Sequence, residues 1–186
     1  MINIVIAGVG GQGSILAAKV LGSLYLSHGL DVKVNEVHGM SQRGGSVVTM
    51  VRAGEKVYSP LVSPGEADLL IGLECQEAMR AVPFLSPDGK AVISLRNIPI
   101  RQQQAGSASG SGVIGRDCLQ IDALALAKEA GNPRCENVVL LGAASKFLNF
   151  TRDEWESAIR EHIKPQHIEV NLKAFTLGEK AGEECL

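Results

Sequence analysis

Cysteine is sparse in this chain and never paired in sequence. Cys75, Cys118, Cys135 and Cys185 are scattered through 186 residues without a single CxxC. That spacing writes neither an iron–sulfur cluster nor a zinc ribbon, and isolated thiols suit a reducing, cytosolic protein. No apolar run approaches the roughly 18 residues of a membrane span, and the first residues lack a signal peptide's basic start and cleavage site. Formal net charge is only −2, so no overall field recruits nucleic acid or an anionic membrane. GxxxxGK(S/T), GxSxG and HExxH are all absent, which removes the P-loop, the nucleophile elbow and the zincin helix. His162 and His167 straddle Pro165, where helical spacing breaks, so they do not read as a paired metal site. No catalytic residue and no metal ligand is assigned.

What is present starts at once. Residues 1–7, apart from Asn3, are apolar and rich in β-branched side chains. Gly8-Val9-Gly10-Gly11-Gln12-Gly13 follows, and an amphipathic pattern opens at Ser14. Strand, glycine turn and helix are the parts of a dinucleotide-type phosphate loop, in which backbone amides at a helix start face an anion. The same glycines would equally serve a tight turn in any α/β protein. With 45% hydrophobic residues the chain has ample core for one domain spanning residues 1–186.

Along the chain, three- and four-residue spacing predicts a first helix from about Gln12 to His28, stopped by Gly29. Residues 31–37 alternate as a second strand, giving a βαβ unit with a parallel pair. A polar, glycine-rich loop, His38 to Gly45, leads into a strand at Ser46–Arg52. Lys56–Ser59 is expected to close a hairpin with it. Strands are also expected at residues 68–73 and 90–95, the latter after a turn at Asp88-Gly89, with a helix from Glu74 to Leu85 between them. Residues 102–112 have almost nothing to bury and read as a solvated, mobile segment or as a lid that orders against a partner or ligand, after which Val113-Ile114-Gly115 would return the chain to the sheet. The last third reads as helical. It comprises Asp122–Ala130, a nearly all-apolar helix capped by Asn137, a capping box at Thr151 and Glu154, and a final helix from Pro165. The expected architecture is a three-layer α/β fold with a mostly parallel, Rossmann-like sheet and a helical C-terminal third.

Two loops carry the functional reading. A Rossmann cofactor site wants an acid at the end of its second strand, and Glu36 lies 23 residues past Gly13. This keeps a stand-alone NAD- or FAD-dependent oxidoreductase open, although a merely solvated glutamate fits the alternation equally well. In the second loop, Ser41-Gln42-Arg43-Gly44-Gly45, a guanidinium between free amides suits a phosphate or carboxylate, although a surface arginine in a bend is the plainer reading. The ends of the first two strands lie side by side in a doubly wound sheet, so this loop is expected to meet the first glycine loop. His38 could titrate near neutrality, yet it lacks a nucleophile nearby in sequence and reads better as structural. Cys75 at a helix start reads as a small apolar residue rather than a reactive thiol. A component that binds one cosubstrate and docks onto a larger catalytic partner suits these residues better than a complete enzyme does. A plain scaffold is the third reading.

The two loops also carry a resemblance. Gly8–Gly13 resembles the GxGGQG opening of the γ domain of 2-oxoacid:ferredoxin oxidoreductases, and Glu36–Val47 resembles the EVHGMxQRGGSV signature of its indolepyruvate branch. Tyr58-Ser59-Pro60, residues 65–68, 137–142 and 169–175 continue the similarity, which fails only around Gln102 to Gly115. The resemblance implies a small subunit without redox groups. A larger partner would carry thiamine diphosphate, magnesium and 4Fe–4S clusters, decarboxylate an aryl 2-oxoacid and reduce ferredoxin, with the acyl group leaving on coenzyme A. It further implies that this chain covers the active site and contributes to coenzyme A access. The anion-site or interface residues would then be Gly8, Gly10, Gly11, Gln12 and Gly13 with Ser41, Gln42, Arg43, Gly44 and Gly45.

Overall fold

The computed structural model describes residues 1–39, 44–98 and 118–184. Six strands form one sheet in the order β2-β3-β1-β4-β5-β6. They are β1 (Ile2–Val9), β2 (Asp31–His38), β3 (Ser46–Gly54), β4 (Ala67–Gly72), β5 (Leu85–Ser94) and β6 (Cys118–Ile121). β1, β4, β5 and β6 run parallel to one another, whereas β3 lies antiparallel to both β1 and β2. The central strands owe their place to composition. Ile4, Val5, Ile6 and Ala7 of β1 and Leu69, Leu70 and Ile71 of β4 are buried, as near-continuous apolar runs covered on both faces should be.

The helices are α1 (Ser14–Ser27), α2 (Cys75–Ala81), α3 (Ala123–Ala130), α4 (Glu136–Ala144), α5 (Arg152–His162) and α6 (Ile168–Glu184). One sheet face, bearing Ile4, Ile6, Val51, Leu69, Ile71 and Val92, packs against α1 and α3 to α6. Among the described residues the other face, bearing Val5, Ala7, Met50, Leu70 and Ile93, meets α2, the following turn and Val62. These are the three expected layers, with the C-terminal third helical. Every residue of α4 is buried. Its Gly142 approaches the Phe175 carbonyl and the Val139 carbonyl approaches Gly178, so closely that a Cβ at either glycine would collide. Thr151 and Glu154 form the expected capping box at the start of α5.

Four local expectations are corrected. β1 and β2 are not a parallel pair, because β3 lies between them. β3 buries Val47, Thr49, Met50, Val51 and Ala53, whereas β2 is only half-covered, so the more apolar strand takes the interior position. With both its sides occupied, β3 leaves no edge for Lys56–Ser59, which forms no strand; the Val57 amide instead donates to Asp31 Oδ2 at 2.8 Å. Asp88-Gly89 is no turn between elements but an irregularity within β5. Between the rungs Ala67–Leu85 and Leu69–Lys90, β4 advances two residues and β5 five. Asn137 does not cap α4 but sits inside its first turn. The expectations for residues 102–115 lie outside the described residues.

Candidate functional site

In an open α/β sheet a ligand crevice opens where consecutive parallel strands send their helices to opposite faces, at the strands' carboxyl ends. Here that point lies between β1, followed by α1, and β4, followed by α2. The crevice is filled from within. Gln12 Oε1 accepts the Val9 amide at 2.7 Å, and Gln12 Nε2 donates to the Leu73 carbonyl at 2.9 Å. The Leu73 amide in turn donates to the Ala7 carbonyl at 2.7 Å. Gly8 allows this closure, since a Cβ there would stand 2.8 Å from Gln12 Oε1 and 2.9 Å from Leu73 Cβ. A side-chain amide thus bridges the ends of β1 and β4 across the crevice.

Past that plug, the glycine loop is tied at two further points. The Gly10 amide donates to the Gly45 carbonyl at 3.0 Å. Gly13 has φ +84°, and a Cβ on it would lie 2.5 Å from Asn137 Nδ2. That nitrogen donates instead to the Gly13 carbonyl at 3.1 Å. Gly13 precedes α1 without offering a side-chain cap. The amides of Ser14, Ile15 and Leu16 meet no acceptor among the described residues, so this helix start remains able to face an anion.

The two glycine loops do meet, though not for the expected reason. β3 begins beside the end of β1, with Val9 opposite Ser46, and this brings Gly44 and Gly45 against Gly10. Ser46 anchors the second loop, its hydroxyl donating to Glu77 Oε2 at 2.5 Å and its carbonyl accepting from the Gly39 amide at 3.0 Å. Arg80 pairs with the other oxygen of the buried Glu77. Ser41, Gln42 and Arg43 lie outside the described residues.

Glu36, the proposed ribose acid, is already engaged. Its Oε2 accepts from Ser14 Oγ at 2.9 Å and from Thr49 Oγ1 at 3.0 Å, and its Oε1 pairs with His38 Nε2 at 2.8 Å. The carboxylate ties α1, β2 and β3 together and gives His38, two residues on along β2, a structural partner. With Glu36 engaged, the crevice plugged and β3 between β1 and β2, the NAD or FAD reading is not supported.

Around the remaining strand ends lies a second polar group. Buried Glu74 caps α2, accepting the amides of Glu77 at 2.8 Å and Ile98 at 3.1 Å. Cys75 follows, half-buried, its amide donating to the Arg96 carbonyl at 2.8 Å. Arg96 pairs with Glu136, whose carboxyl is pushed above its ordinary range by burial despite the guanidinium, and whose Oε2 has no partner among the described residues. Burial pushes the Cys118 thiol up to about 11, with nearby Cys75 a lesser cause, so it stays protonated at neutral pH. Among the described residues no three His, Cys, Asp or Glu side chains stand close enough to hold a metal. His162 Nε2 lies 3.1 Å from Ser23 Oγ.

Several of these roles had no readable signal. Asn137 meets a partner 124 residues away, and Arg96 one 40 residues away. Gln12 and Glu36 stand out in the sequence, Gln12 as an anion-site or interface residue and Glu36 as a possible ribose acid.

Residues 3–181 match the family described as pyruvate ferredoxin/flavodoxin oxidoreductase. The chain belongs to that family. It is 42% identical over 196 aligned residues to the indolepyruvate oxidoreductase subunit IorB of Thermococcus kodakarensis, covering 99% of this chain and 97% of that protein. In fold it is similar to the gamma subunit of a keto/oxoacid ferredoxin oxidoreductase from Geobacter sulfurreducens, with TM-score 0.75, 22% identity and 99% of each chain covered. It is also similar to part of the 2-oxoglutarate:ferredoxin oxidoreductase of Magnetococcus marinus, solved with 2-oxoglutarate, coenzyme A and succinyl-CoA bound. There the TM-score is 0.76 at 20% identity, covering 98% of this chain but 31% of that one. Within the GxGGQG stretch, Gln12 closes the turn onto Val9 and Leu73. No helix among the described residues is long and apolar enough to cross a membrane.

Proposed function

We propose that this chain, as a single γ-type domain, is the small, non-redox subunit of a 2-oxoacid:ferredoxin oxidoreductase of the indolepyruvate type. Electrons move through a larger partner that carries thiamine diphosphate, magnesium and iron–sulfur clusters and reduces ferredoxin. This chain completes the cover of the active site and contributes to the passage of coenzyme A. The observation that carries the reading is the junction of the two glycine loops, where Gly10 is hydrogen-bonded to Gly45 beside the uncapped start of α1. Backbone amides there, with Gly11 and Arg43 on the same loops, suit the phosphates of coenzyme A without supplying any redox chemistry. The likeness to IorB over nearly the whole chain supports the aryl 2-oxoacid as substrate of the complex.

Co-expression with the large subunit tests this. The pair should co-purify and couple oxidation of an aryl 2-oxoacid to ferredoxin reduction only when coenzyme A is present. In the assembled pair, Arg43→Ala should raise the KM for coenzyme A by about 10- to 100-fold, the worth of one charge-assisted contact, and leave the KM for the 2-oxoacid alone. An unchanged KM for coenzyme A would remove these loops from its path.

A further inference from the structure

Glycine loops have little stiffness of their own, so their geometry must be imposed by bonds made elsewhere. Around the end of β1 and the start of β3 those bonds converge on one short stretch, residues 73–77, where β4 passes into α2. The first loop is held there by the Leu73 carbonyl, which accepts from Gln12 Nε2 at 2.9 Å, and by the Leu73 amide, which donates to the Ala7 carbonyl at 2.7 Å. The second is held by Glu77, whose Oε2 accepts from Ser46 Oγ at 2.5 Å. Leu73 and Glu77 are both buried, so the two loops are referred to the same fixed point of the fold.

Packing does not explain Glu77, which is 1% exposed. The other inward residues of α2, Ala78 and Ala81, are small and apolar. A carboxylate taken out of water costs stability unless it is paired and hydrogen-bonded, and its partners give the reason for it here. Arg80, one turn on along α2 and half-exposed, pairs with Oε1 and balances the charge. Oε2 is taken by Ser46, the residue at which the second loop closes. The Ser46 carbonyl accepts from the Gly39 amide at 3.0 Å, and the preceding carbonyl, of Gly45, accepts from the Gly10 amide at 3.0 Å. Ser46 also forms the first rung of β3 on β1, opposite Val9. Rungs at the end of a strand open most easily. With its hydroxyl held from the α2 side, the Val9–Ser46 rung stays closed, and the contact between Gly10 and Gly45 stays closed with it.

We infer that Glu77 is a positioning residue for coenzyme A, acting through the Ser46 hydroxyl to set the two glycine loops against each other beside the start of α1. The inference rests on the function proposed above. Neither Glu77 nor the Ser46 hydroxyl need touch the ligand. They keep the amides of the loop junction in place beforehand, so that binding does not carry the cost of ordering them.

The test uses the complex assembled with the large subunit and reads the KM for coenzyme A, the KM for the 2-oxoacid, kcat and the melting temperature. Ser46→Ala removes the hydroxyl and leaves Glu77 with Arg80. It should raise the KM for coenzyme A about 10-fold, with the KM for the 2-oxoacid and kcat at saturating coenzyme A unchanged. Ser46→Thr restores a hydroxyl on a residue that suits a strand, and should bring the KM for coenzyme A back close to the wild type. Glu77→Asp keeps the charge but withdraws it by one methylene; it should behave as Ser46→Ala does, and replaces that variant if the alanine chain does not fold. Arg43→Ala is measured alongside. If Arg43→Ala raises the KM for coenzyme A and Ser46→Ala leaves it unmoved, the positioning role is overturned and the proposed function stands. A fall in kcat or melting temperature with the KM for coenzyme A unmoved would also overturn it, leaving Glu77 a group that serves the fold alone. If neither variant moves that KM, the loops lie off the path of coenzyme A, and the inference falls together with that part of the proposed function.

Discussion

The two faces of the sheet are built differently. One carries five helices, with α4 enclosed on every side and Trp155, Phe175, Leu140 and Ile159 almost wholly removed from water. The other carries the two-turn helix α2 and a strap, residues 56–62, that is pinned at Val57 and turns Tyr58 outward. At roughly 25 cal/mol per Å² of apolar area removed from water, the first face supplies most of the hydrophobic stabilisation. The second is finished just enough to stay ordered. Among the described residues, stability concentrates on the helical side. The glycine loops sit at the end of the sheet, where both faces meet.

The contrast can be broken most strongly at Trp155. Trp155→Ala on the five-helix face should cost about 3–5 kcal/mol, as deletion of a buried aromatic does, read as a fall in the urea midpoint. A loss under about 1 kcal/mol would mean that this face is not the main source of stability. Gln12→Ala comes next, because it strips partners from the Val9 amide and the Leu73 carbonyl together. About 1–3 kcal/mol is expected for each buried group so orphaned, with hydrogen exchange rising at Val9 before it rises in the body of β1. Tyr58→Ala, on the sparse face, should shift stability by no more than about 0.5 kcal/mol. A large loss there would make the strap part of the core and end the contrast.

The smallest effect is a pH dependence on the helical face. The Thr151 amide and hydroxyl, with His28, hold the Glu154 carboxyl down to about 2. A lowered folded value contributes stability that is fully present above the unfolded value, about 4.3, and is lost as pH falls through the folded one. Urea midpoints measured from pH 5 to pH 2 should therefore fall, and Thr151→Ala should flatten that slope. A slope identical in the variant would assign the acid sensitivity to other groups.

Much of this was legible in the sequence, for identifiable reasons. β1 and β4 are continuous apolar runs, α5 carries its own capping box, and α4 is apolar all round; each element announces itself within about ten residues. Strand order was not legible, because it depends on a comparison between segments. Residues 31–37 and 46–52 both read as strands, and only the fuller burial of the second decides which lies beside β1. The meeting of the glycine loops was anticipated, but it was expected from a β1–β2 pairing that does not occur. Glu36 read as a possible ribose acid since its three partners, Ser14, His38 and Thr49, are brought to it by the sheet and by α1. Arg52, whose guanidinium holds the carbonyls of Ser59 and Leu61, gave no sign of that role. An arginine at the end of a β-branched strand looks solvated until the strap folds back onto it.

Under the proposed function this polypeptide provides form, while the electrons travel in another. The direct measurement is ferredoxin reduction by an aryl 2-oxoacid with coenzyme A, as purified chain is titrated into purified large subunit. Neither alone should sustain turnover, and activity should rise linearly with added chain to a plateau at a fixed ratio. Turnover by this chain alone, or a large subunit equally active without it, would contradict the account.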